Sequence, residues 1–375
     1  MDNRTYAMLA KPASSTCNLR CEYCYYAGKK VLLHVENSRM SQDILETYTR
    51  QSLDMYGRDA VVEFAWHGGE PTIAGISFYE EALRLQRKYG KGRKILNTLQ
   101  TNATLLNDEW CRFFKANNFL IGVSIDGPEA LHNAYRKTVD GRGSFTETMR
   151  GIELLQKHRV SFNTLTTVNR INMEQPLEVY RFLRELTDFL QFLPVVECLP
   201  AQHETEESQL FATPPGLYSI KIKHRLTDFS VTSEGYGAFL CAIWDEWDTF
   251  DSEKKHIQLF DVTIGNLSGI SSSLCVHNPL CGHSGCVEAN GDVYACDRYA
   301  FPAYKLGNIT RTSLGELMEL NRDFGMHKTY GLPEECLDCR HIKLCFGGCP
   351  KDRLWDSKNY LCAGYKMFFD KVLRS

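Results

Sequence analysis

The feature that most constrains this chain is the number and grouping of its cysteines. Its 375 residues include 15 cysteines, three of them between residues 17 and 24 and nine between residues 275 and 362. Disulfides and metal ligation both produce such groups. Residues 1–15 lack the apolar core and cleavage site of a secretion signal, so we expect a cytoplasmic protein with reduced thiols. Clustered thiols in that compartment favour metal or iron–sulfur ligation over disulfides.

Charge and hydropathy argue against two other classes of protein. The formal net charge is -3, so the chain has no basic excess of the kind that indicates nucleic-acid binding. No run of about 18 apolar residues occurs, and we therefore expect no membrane-spanning segment. The length suffices for one large domain and a smaller one.

Short apolar runs alternate with amphipathic stretches over the first 200 residues. This alternation predicts parallel strands joined by right-handed helical crossovers. We therefore expect an α/β fold, a partial (β/α)6 TIM-like barrel, whose chemistry lies at the C-terminal ends of the strands. The predicted strands are 5–10, 61–66, 94–100, 119–125, 160–168 and 189–196, and the predicted helices are 40–56, 77–90, 107–117, 144–158 and 173–187.

Local signals indicate where two of these helices begin. Asn107, followed by Asp108 and Glu109, predicts an N-cap with an acidic first turn. Ser144 with Glu147 predicts a capping box at the start of another helix.

The alternation ends near residue 200. Residues 201–235 are polar and irregular, and the chain after residue 275 is rich in cysteine and turns and short of long helices. We predict a boundary near residue 235. It would separate a barrel domain over residues 1–235 from a small cysteine-rich domain over residues 236–375.

The first cysteine group, which we call the cysteine triad, consists of Cys17, Cys21 and Cys24 in the spacing C-x3-C-x2-C. Three thiolates so close together can ligate three irons of a [4Fe–4S] cluster and leave the fourth iron open. An open coordination position is what a substrate-binding metal centre needs. A structural zinc ion is the alternative, but it would need a fourth ligand, for which His34 is the nearest candidate.

The triad, with Tyr23 before its last cysteine, resembles the signature of radical S-adenosylmethionine (radical SAM) enzymes. In that family the open iron chelates S-adenosylmethionine, and electron transfer releases a 5'-deoxyadenosyl radical. The resemblance implies that S-adenosylmethionine is a cofactor here and that several further residues contact it. A plain turn remains the alternative for the glycines and for Ser124. The implied cofactor contacts are Tyr23, Gly68, Gly69, Glu70, Ser124 and Arg136.

The cysteine spacing C-x2-C-x5-C-x3-C near the C-terminus indicates metal binding. A zinc ribbon is the simplest site with such a spacing. Together with the flanking cysteines it resembles the SPASM domain, a C-terminal iron–sulfur extension of radical SAM enzymes. The resemblance implies two further [4Fe–4S] clusters, three in all, with interleaved ligands. Eight thiolates would coordinate both fully, so these clusters would carry electrons. The first auxiliary set would be Cys275, Cys281, Cys296 and Cys349, and the second Cys336, Cys339, Cys345 and Cys362.

Over nearly its whole length the chain resembles the anaerobic sulfatase-maturating enzymes. That family oxidises a cysteine or serine of an unfolded sulfatase segment to Cα-formylglycine. The resemblance implies that Asp297, next to Cys296, is the catalytic base and that Tyr26 and Leu199 contact the substrate peptide. His67 departs from the pattern, because some relatives have glutamine there. The markers are residues 11–26, 68–72, 99–106, 123–128 and 291–297.

Two alternatives remain beside this interpretation. Related maturases crosslink ribosomal peptides and often carry an N-terminal recognition domain; we expect none here, since 16 residues precede Cys17. A non-enzymatic zinc or electron-transfer protein would have no use for an open triad. We expect a flavodoxin or ferredoxin as the reductant. Of the remaining cysteines, Cys286 has no predicted role, and the other three are expected to be small buried apolar residues: Cys111, Cys198 and Cys241.

Overall fold

The computed structural model describes residues 7–27, 29, 33, 39–200, 224–354 and 358–374. In these residues the predicted strands and helices are present, with ends within about three residues of those expected, a normal boundary error. The strands are β1 (Ala7–Ala10), β2 (Val62–Trp66), β3 (Ile95–Thr101), β4 (Leu120–Ser124), β5 (Phe162–Val168), β6 (Phe189–Pro194), β7 (Cys198–Pro200), β8 (His224–Leu226), β9 (His256–Ile257), β10 (Ser284–Val287), β11 (Asp292–Tyr294) and β12 (Lys305–Asn308). The helices are α1 (Gln42–Asp54), α2 (Ile76–Gly90), α3 (Asp108–Ala116), α4 (Glu129–Tyr135), α5 (Phe145–Lys157), α6 (Pro176–Arg184), α7 (Ser233–Phe250), α8 (Gln258–Leu267), α9 (Leu314–Tyr330), α10 (Glu334–Leu337), α11 (Ile342–Cys345) and α12 (Cys362–Val372). None of the helices in these ranges is both long and apolar enough to cross a bilayer.

Strands β1 to β6 lie side by side in chain order, and each pair of neighbours is parallel. Because successive right-handed crossovers then run in one direction, their helices lie on one face of the sheet. This singly wound order is that of a (β/α) barrel. The barrel is open, since β1 continues to β10 and β6 continues to β9 instead of pairing with each other. The partial barrel predicted from the sequence is confirmed.

Aromatic side chains fill the space between the sheet and its first helices. Phe64 and Trp66 lie on the buried face of β2, where they contact Tyr48 of α1, and Trp66 also contacts Tyr79 of α2. The indole N–H of Trp66 donates a hydrogen bond to Asn97 Oδ1 of β3 at 2.9 Å, so this buried donor is paired. This packing fixes the end of β2, from which the chain enters the glycine pair.

The cysteine-rich region extends the same sheet. Strand β10 pairs in parallel with β1, with Cys286 opposite Leu9, and β11 and β12 continue the sheet as antiparallel strands. Helix α7 spans residue 235 without interruption. The predicted boundary near residue 235 stays a prediction, and much of the irregular segment, residues 201–223, lies outside the described residues.

Two expectations about helices were wrong. Helix α9 has 17 residues and a complete capping box of Ser313 and Glu316, although no long helix was expected after residue 275. Ser144 makes no capping hydrogen bond, because its hydroxyl donates to Arg136 O at 2.9 Å and contacts the His132 ring. The cap predicted at Asn107 is confirmed, since its side chain accepts from Trp110 N at 2.9 Å.

Helices α7 and α12 touch backbone to backbone at a pair of glycines. A Cβ on Gly364 would lie 2.1 Å from Ser233 O, and one on Gly237 would lie 2.6 Å from Gly364 Cα. Because α12 begins at Cys362, this contact also places a predicted cluster ligand.

We predict that Gly364→Ala lowers the free energy of unfolding by about 1–3 kcal/mol, because the added methyl group overpacks the contact between the helices. Gly265→Ala on α8 is the matched control: its Cβ would meet no atom closer than 3.8 Å. That variant should be neutral or more stable by about 0.5–1 kcal/mol. Denaturant unfolding of the reduced protein measures both, and equal stability of the two variants would contradict the close contact.

Candidate active site

The cysteine triad lies in the loop that follows β1, as predicted. Burial, together with the charges of neighbouring triad thiols, raises the pKa values of the Cys17 and Cys21 thiols to about 12. Burial likewise raises the pKa of Cys24. Three thiolates cannot share this buried space without positive charge to compensate them. An iron–sulfur cluster would supply that charge, so the donor set fits such a group.

Gly68 and Gly69 bring the end of β2 against the triad loop. Gly68 has a φ of +129°, and a Cβ on Gly69 would lie 2.2 Å from Thr16 O. The N–H of Gly69 donates to Ser14 O at 2.7 Å, and the next N–H in the chain donates to Thr16 O at 2.8 Å. The glycines therefore permit close approach, here of the loop's own backbone. Their predicted contact with the cofactor stays a prediction.

Glu70 joins the ends of β2 and β3 to each other. Its buried carboxylate accepts hydrogen bonds from Thr72 N, Thr72 Oγ1 and Thr101 Oγ1, and from Asn102 N at 2.8 Å. Asn102 also places its side-chain N–H₂ 3.8 Å from the Cys17 sulfur. We infer a positioning role for Glu70, in addition to the predicted cofactor contact.

Tyr23 and Arg136 converge on a carboxylate that the sequence analysis did not assign, that of Asp126. The Tyr23 hydroxyl donates to Asp126 Oδ2, and two guanidinium nitrogens of Arg136 lie 3.0 Å from the Asp126 oxygens. Both charged groups are buried. Ser124, two residues earlier, accepts from Gln100 Nε2 at 3.0 Å. Tyr23 and Arg136 thus belong to one polar network, and Ser124 has a separate partner.

Asp297 lies between the triad loop and the cysteine-rich region. Its carboxylate accepts from the Lys11 ammonium on one oxygen and from the Tyr25 hydroxyl on the other. Burial would raise the pKa of Asp297, but Lys11, His67 and the two hydrogen bonds outweigh it and hold the pKa well below its usual range. The Lys11 ammonium also lies 3.4 Å from the ring centre of Tyr26. Asp297 is therefore ionised and rigidly held.

Neither Lys11 nor Tyr25 was predicted. A lysine directly after a strand is normally expected to be exposed to solvent, whereas Lys11 is fully buried. The only signal was its place at the C-terminal end of β1, where barrel chemistry is expected.

His67 lies close enough to Asp297 for their charges to interact. Burial lowers the pKa of His67 to about 4, and its Nδ1 accepts from Gly68 N at 2.8 Å, so the neutral ring carries its hydrogen on Nε2. Leu199 is half-buried on β7. Two residues before it, Glu197 forms a buried ion pair with Lys351 of the cysteine-rich region.

The cysteines predicted to form the first auxiliary set lie together. Burial, together with the thiols of Cys349 and Cys275, raises the pKa of Cys281 to about 12. The pKa of Cys296 is raised by burial and by the same two thiols. Cys275 and Cys349 therefore lie close enough to influence both Cys281 and Cys296, as ligands of one cluster would.

The second auxiliary set lines one cavity. Within the described ranges, no three His, Cys, Asp or Glu side chains are close enough to hold one metal ion. The thiols that line the cavity are Cys336, Cys339, Cys345 and Cys362.

The four cysteines outside these sets are mostly buried. Cys111, Cys198 and Cys286 are inaccessible to solvent, and Cys241 is partly buried. Cys286 lies on β10, where the charges of Lys11 and Asp297 influence its pKa.

Comparison with known proteins extends this description. The chain matches the radical SAM superfamily over residues 12–183 and an iron–sulfur cluster-binding domain, SPASM, over residues 281–340. It is 43% identical to a serine-type anaerobic sulfatase-maturating enzyme of Bacteroides thetaiotaomicron, over 97% of this chain and 89% of that enzyme. This chain belongs to the anaerobic sulfatase-maturating enzymes. The predicted family and the radical SAM and iron–sulfur assignments are therefore confirmed.

Two further relatives of this sulfatase-maturating enzyme show how far the match extends. A cysteine-type enzyme of Clostridium perfringens is 35% identical over 97% of this chain and 95% of its own. The solved structure of native anSMEcpe with bound AdoMet and Cp18Cys peptide superposes with a TM-score of 0.83 at 34% identity, covering 98% of this chain and 96% of that one. The whole fold, including the cysteine-rich region, is thus shared.

We predict that Gly69→Ala removes the iron of the triad while leaving that of the auxiliary sets. The added Cβ would collide with the Thr16 carbonyl and displace the loop that carries all three cysteines. Gly57→Ala is the matched control, because its Cβ would meet no atom within 4 Å. Iron analysis after anaerobic reconstitution measures the loss, and full iron content in Gly69→Ala would count against the close approach.

Proposed function

We propose that this enzyme oxidises a cysteine or serine in an unfolded sulfatase segment to Cα-formylglycine, using S-adenosylmethionine and three [4Fe–4S] clusters. The observation that carries the proposal is the full-length match to sulfatase-maturating enzymes at 43% identity. The carboxylate of Asp297, held between the triad loop and the first auxiliary set, supports it from the geometry.

The predicted ligand cysteines form three groups, and each group would hold one cluster. We assign one cluster to the cysteine triad and one to each auxiliary set, as their grouping in the structure supports. When bound, the triad cluster and S-adenosylmethionine supply the one-electron chemistry that removes a hydrogen atom from the target Cβ. Around them, Glu70 and Asn102 fix the loop, while Tyr23 and Arg136 hold each other through Asp126.

Asp297 then accepts the proton that the target must lose. Its carboxylate is ionised, because the positive charge of Lys11 lowers its pKa against the effect of burial. The Lys11 and Tyr25 hydrogen bonds occupy one lone pair on each oxygen and fix the carboxylate plane. The remaining lone pairs are available to a substrate hydroxyl or thiol. Tyr26 and Leu199 are proposed to contact the peptide on either side.

We propose that the enzyme works in the cytoplasm and receives electrons from a flavodoxin or ferredoxin. Reduced thiols at 11 predicted ligand positions support a reducing compartment. An open iron position also requires anaerobic conditions, because oxygen attacks exposed clusters.

The proposed reaction is tested with anaerobically reconstituted enzyme, S-adenosylmethionine, a strong reductant and peptides bearing C-x-P-x-R or S-x-P-x-R. Oxidation to the aldehyde should lower the peptide mass by roughly 2 Da from serine, through loss of two hydrogens, and by roughly 18 Da from cysteine, where the sulfur is also exchanged for an oxygen of water. Mass spectrometry measures peptide and 5'-deoxyadenosine together. Deoxyadenosine without any change in either peptide would point instead to a maturase of another ribosomal peptide.

We predict that Asp297→Asn separates cofactor cleavage from product formation. The amide cannot accept the proton, so peptide oxidation should fall by about 10²–10⁴-fold while 5'-deoxyadenosine still forms. Asp292→Asn is the control, since that nearby carboxylate pairs with Lys305 at 2.7 Å, away from the triad loop. Oxidation at the wild-type rate in Asp297→Asn would exclude this residue as the base.

A further inference from the structure

Lys328 of α9 is fully buried in the cysteine-rich region. Its ammonium group donates hydrogen bonds to three backbone carbonyls, those of Cys275 at 2.6 Å, Val276 at 2.9 Å and Asn278 at 2.6 Å. All three carbonyls belong to the loop that carries Cys275. One side chain of a distant helix therefore fixes the backbone beside a ligand of the first auxiliary set.

The geometry selects the charged form of this lysine. An ammonium group has three N–H donors and no lone pair, which matches three carbonyl acceptors. A neutral amine would turn its lone pair toward one of those oxygens. All three acceptors are uncharged, and the described carboxylates form no ion pair with Lys328. A positive charge without a counter-ion thus lies inside the protein.

This charge lies beside the first auxiliary set. Burial lowers the pKa of Lys328, and the three thiols that raise it are those of Cys275, Cys281 and Cys349. Three of the four ligands proposed for this set are therefore close enough to interact with the charge. In a buried setting such an interaction is weakly screened.

Other cations near the auxiliary sets differ from Lys328 in exposure, in pairing or in the set that they influence. Lys366, which lines the cavity of the second auxiliary set, is exposed to solvent. Lys358, which also influences that set, pairs with Glu335 at 3.0 Å in a partly exposed position. Arg298 is neutralised by a two-bond pair with Asp352. Arg353 donates to three backbone carbonyls among the described residues, but it interacts with thiols of both sets.

We propose that Lys328 is a positioning residue that makes the first auxiliary set the electron-accepting site. Its hydrogen bonds hold the Cys275 loop, and its uncompensated charge favours the reduced state of whatever cluster the set holds. The balance of the reaction requires such a site. Loss of one hydrogen atom and one proton from the target leaves one electron, and the cluster that accepts it gains one negative charge.

This inference rests on the ligand sets of the proposed function, but its test does not depend on the peptide substrate. The parent variant is the full-length chain in which the three triad cysteines, Cys339 and Cys362 are replaced by alanine. In this variant only the first auxiliary set keeps all four of its thiols. In this background we would compare Lys328 with Lys328→Met, which removes donors and charge, and with Lys328→Gln, which keeps N–H donors without charge. Lys343→Met, on exposed α11, is the matched control for loss of one positive charge. Iron content and the midpoint potential from an electron paramagnetic resonance titration are measured under anaerobic conditions.

We expect both Lys328 variants that hold iron to have a more negative midpoint potential, while Lys343→Met keeps that of the parent. If Lys328→Met loses iron and Lys328→Gln does not, the positioning role is supported. The midpoint potential is then measured in Lys328→Gln. Full iron with an unchanged potential in the Lys328 variants overturns the inference, as does an equal shift in Lys343→Met. A parent background that binds no iron overturns instead the ligand assignment on which the inference rests.

Discussion

The buried ion pair of Lys11 and Asp297 is the interaction on which the arrangement of this enzyme depends. Lys11 directly follows the first barrel strand, and Asp297 follows Cys296, a proposed ligand of the first auxiliary set, so one contact joins residues 286 positions apart. Replacing one partner of a buried pair costs about 3–5 kcal/mol, because the other charge is left unpaired. Because β1 also pairs with β10, the register of the sheet and the ion pair both fix the position of the triad loop relative to the cysteine-rich region.

Close backbone approach supplies the second constraint. The glycines after β2 let that strand end donate two hydrogen bonds into the triad loop, and Glu70 ties β3 to the same place. Three strand ends therefore hold one short loop whose own residues have little regular structure. A loop that must present three thiolates to one cluster needs this external support, since ligand positions have to be held within a few tenths of an ångström.

Much of the fold could be predicted because its signals are local. Strand and helix periods depend on residues a few positions apart, and so do the spacings of the cysteine groups. The cap at Asn107 was predicted on the same basis, and it is present. Ser144 shows the limit, because its hydroxyl donates to the carbonyl of Arg136, in another segment, and accepts no N–H of the helix.

Two of the residues that sequence reasoning missed, Lys11 and Asp126, are buried charges whose partners lie in other segments of the structure. Lys11 is compensated by Asp297, and Asp126 by Arg136. From the sequence alone, each of these residues is expected to be a solvated surface charge, because no neighbouring residue indicates its partner.

Lys328 differs from these pairs in a way that bears on electron flow. A carboxylate partner cancels the field of a buried lysine, whereas carbonyl dipoles satisfy its donors and leave its net charge in place. Lys11 and Lys328 are thus two buried lysines with opposite consequences. Lys11 holds the proposed base ionised, and Lys328 places an uncancelled charge beside thiols that would otherwise only repel a further electron. In the proposed scheme, proton and electron are therefore drawn to adjoining sites, because Asp297 directly follows Cys296, a proposed ligand of the set that Lys328 faces.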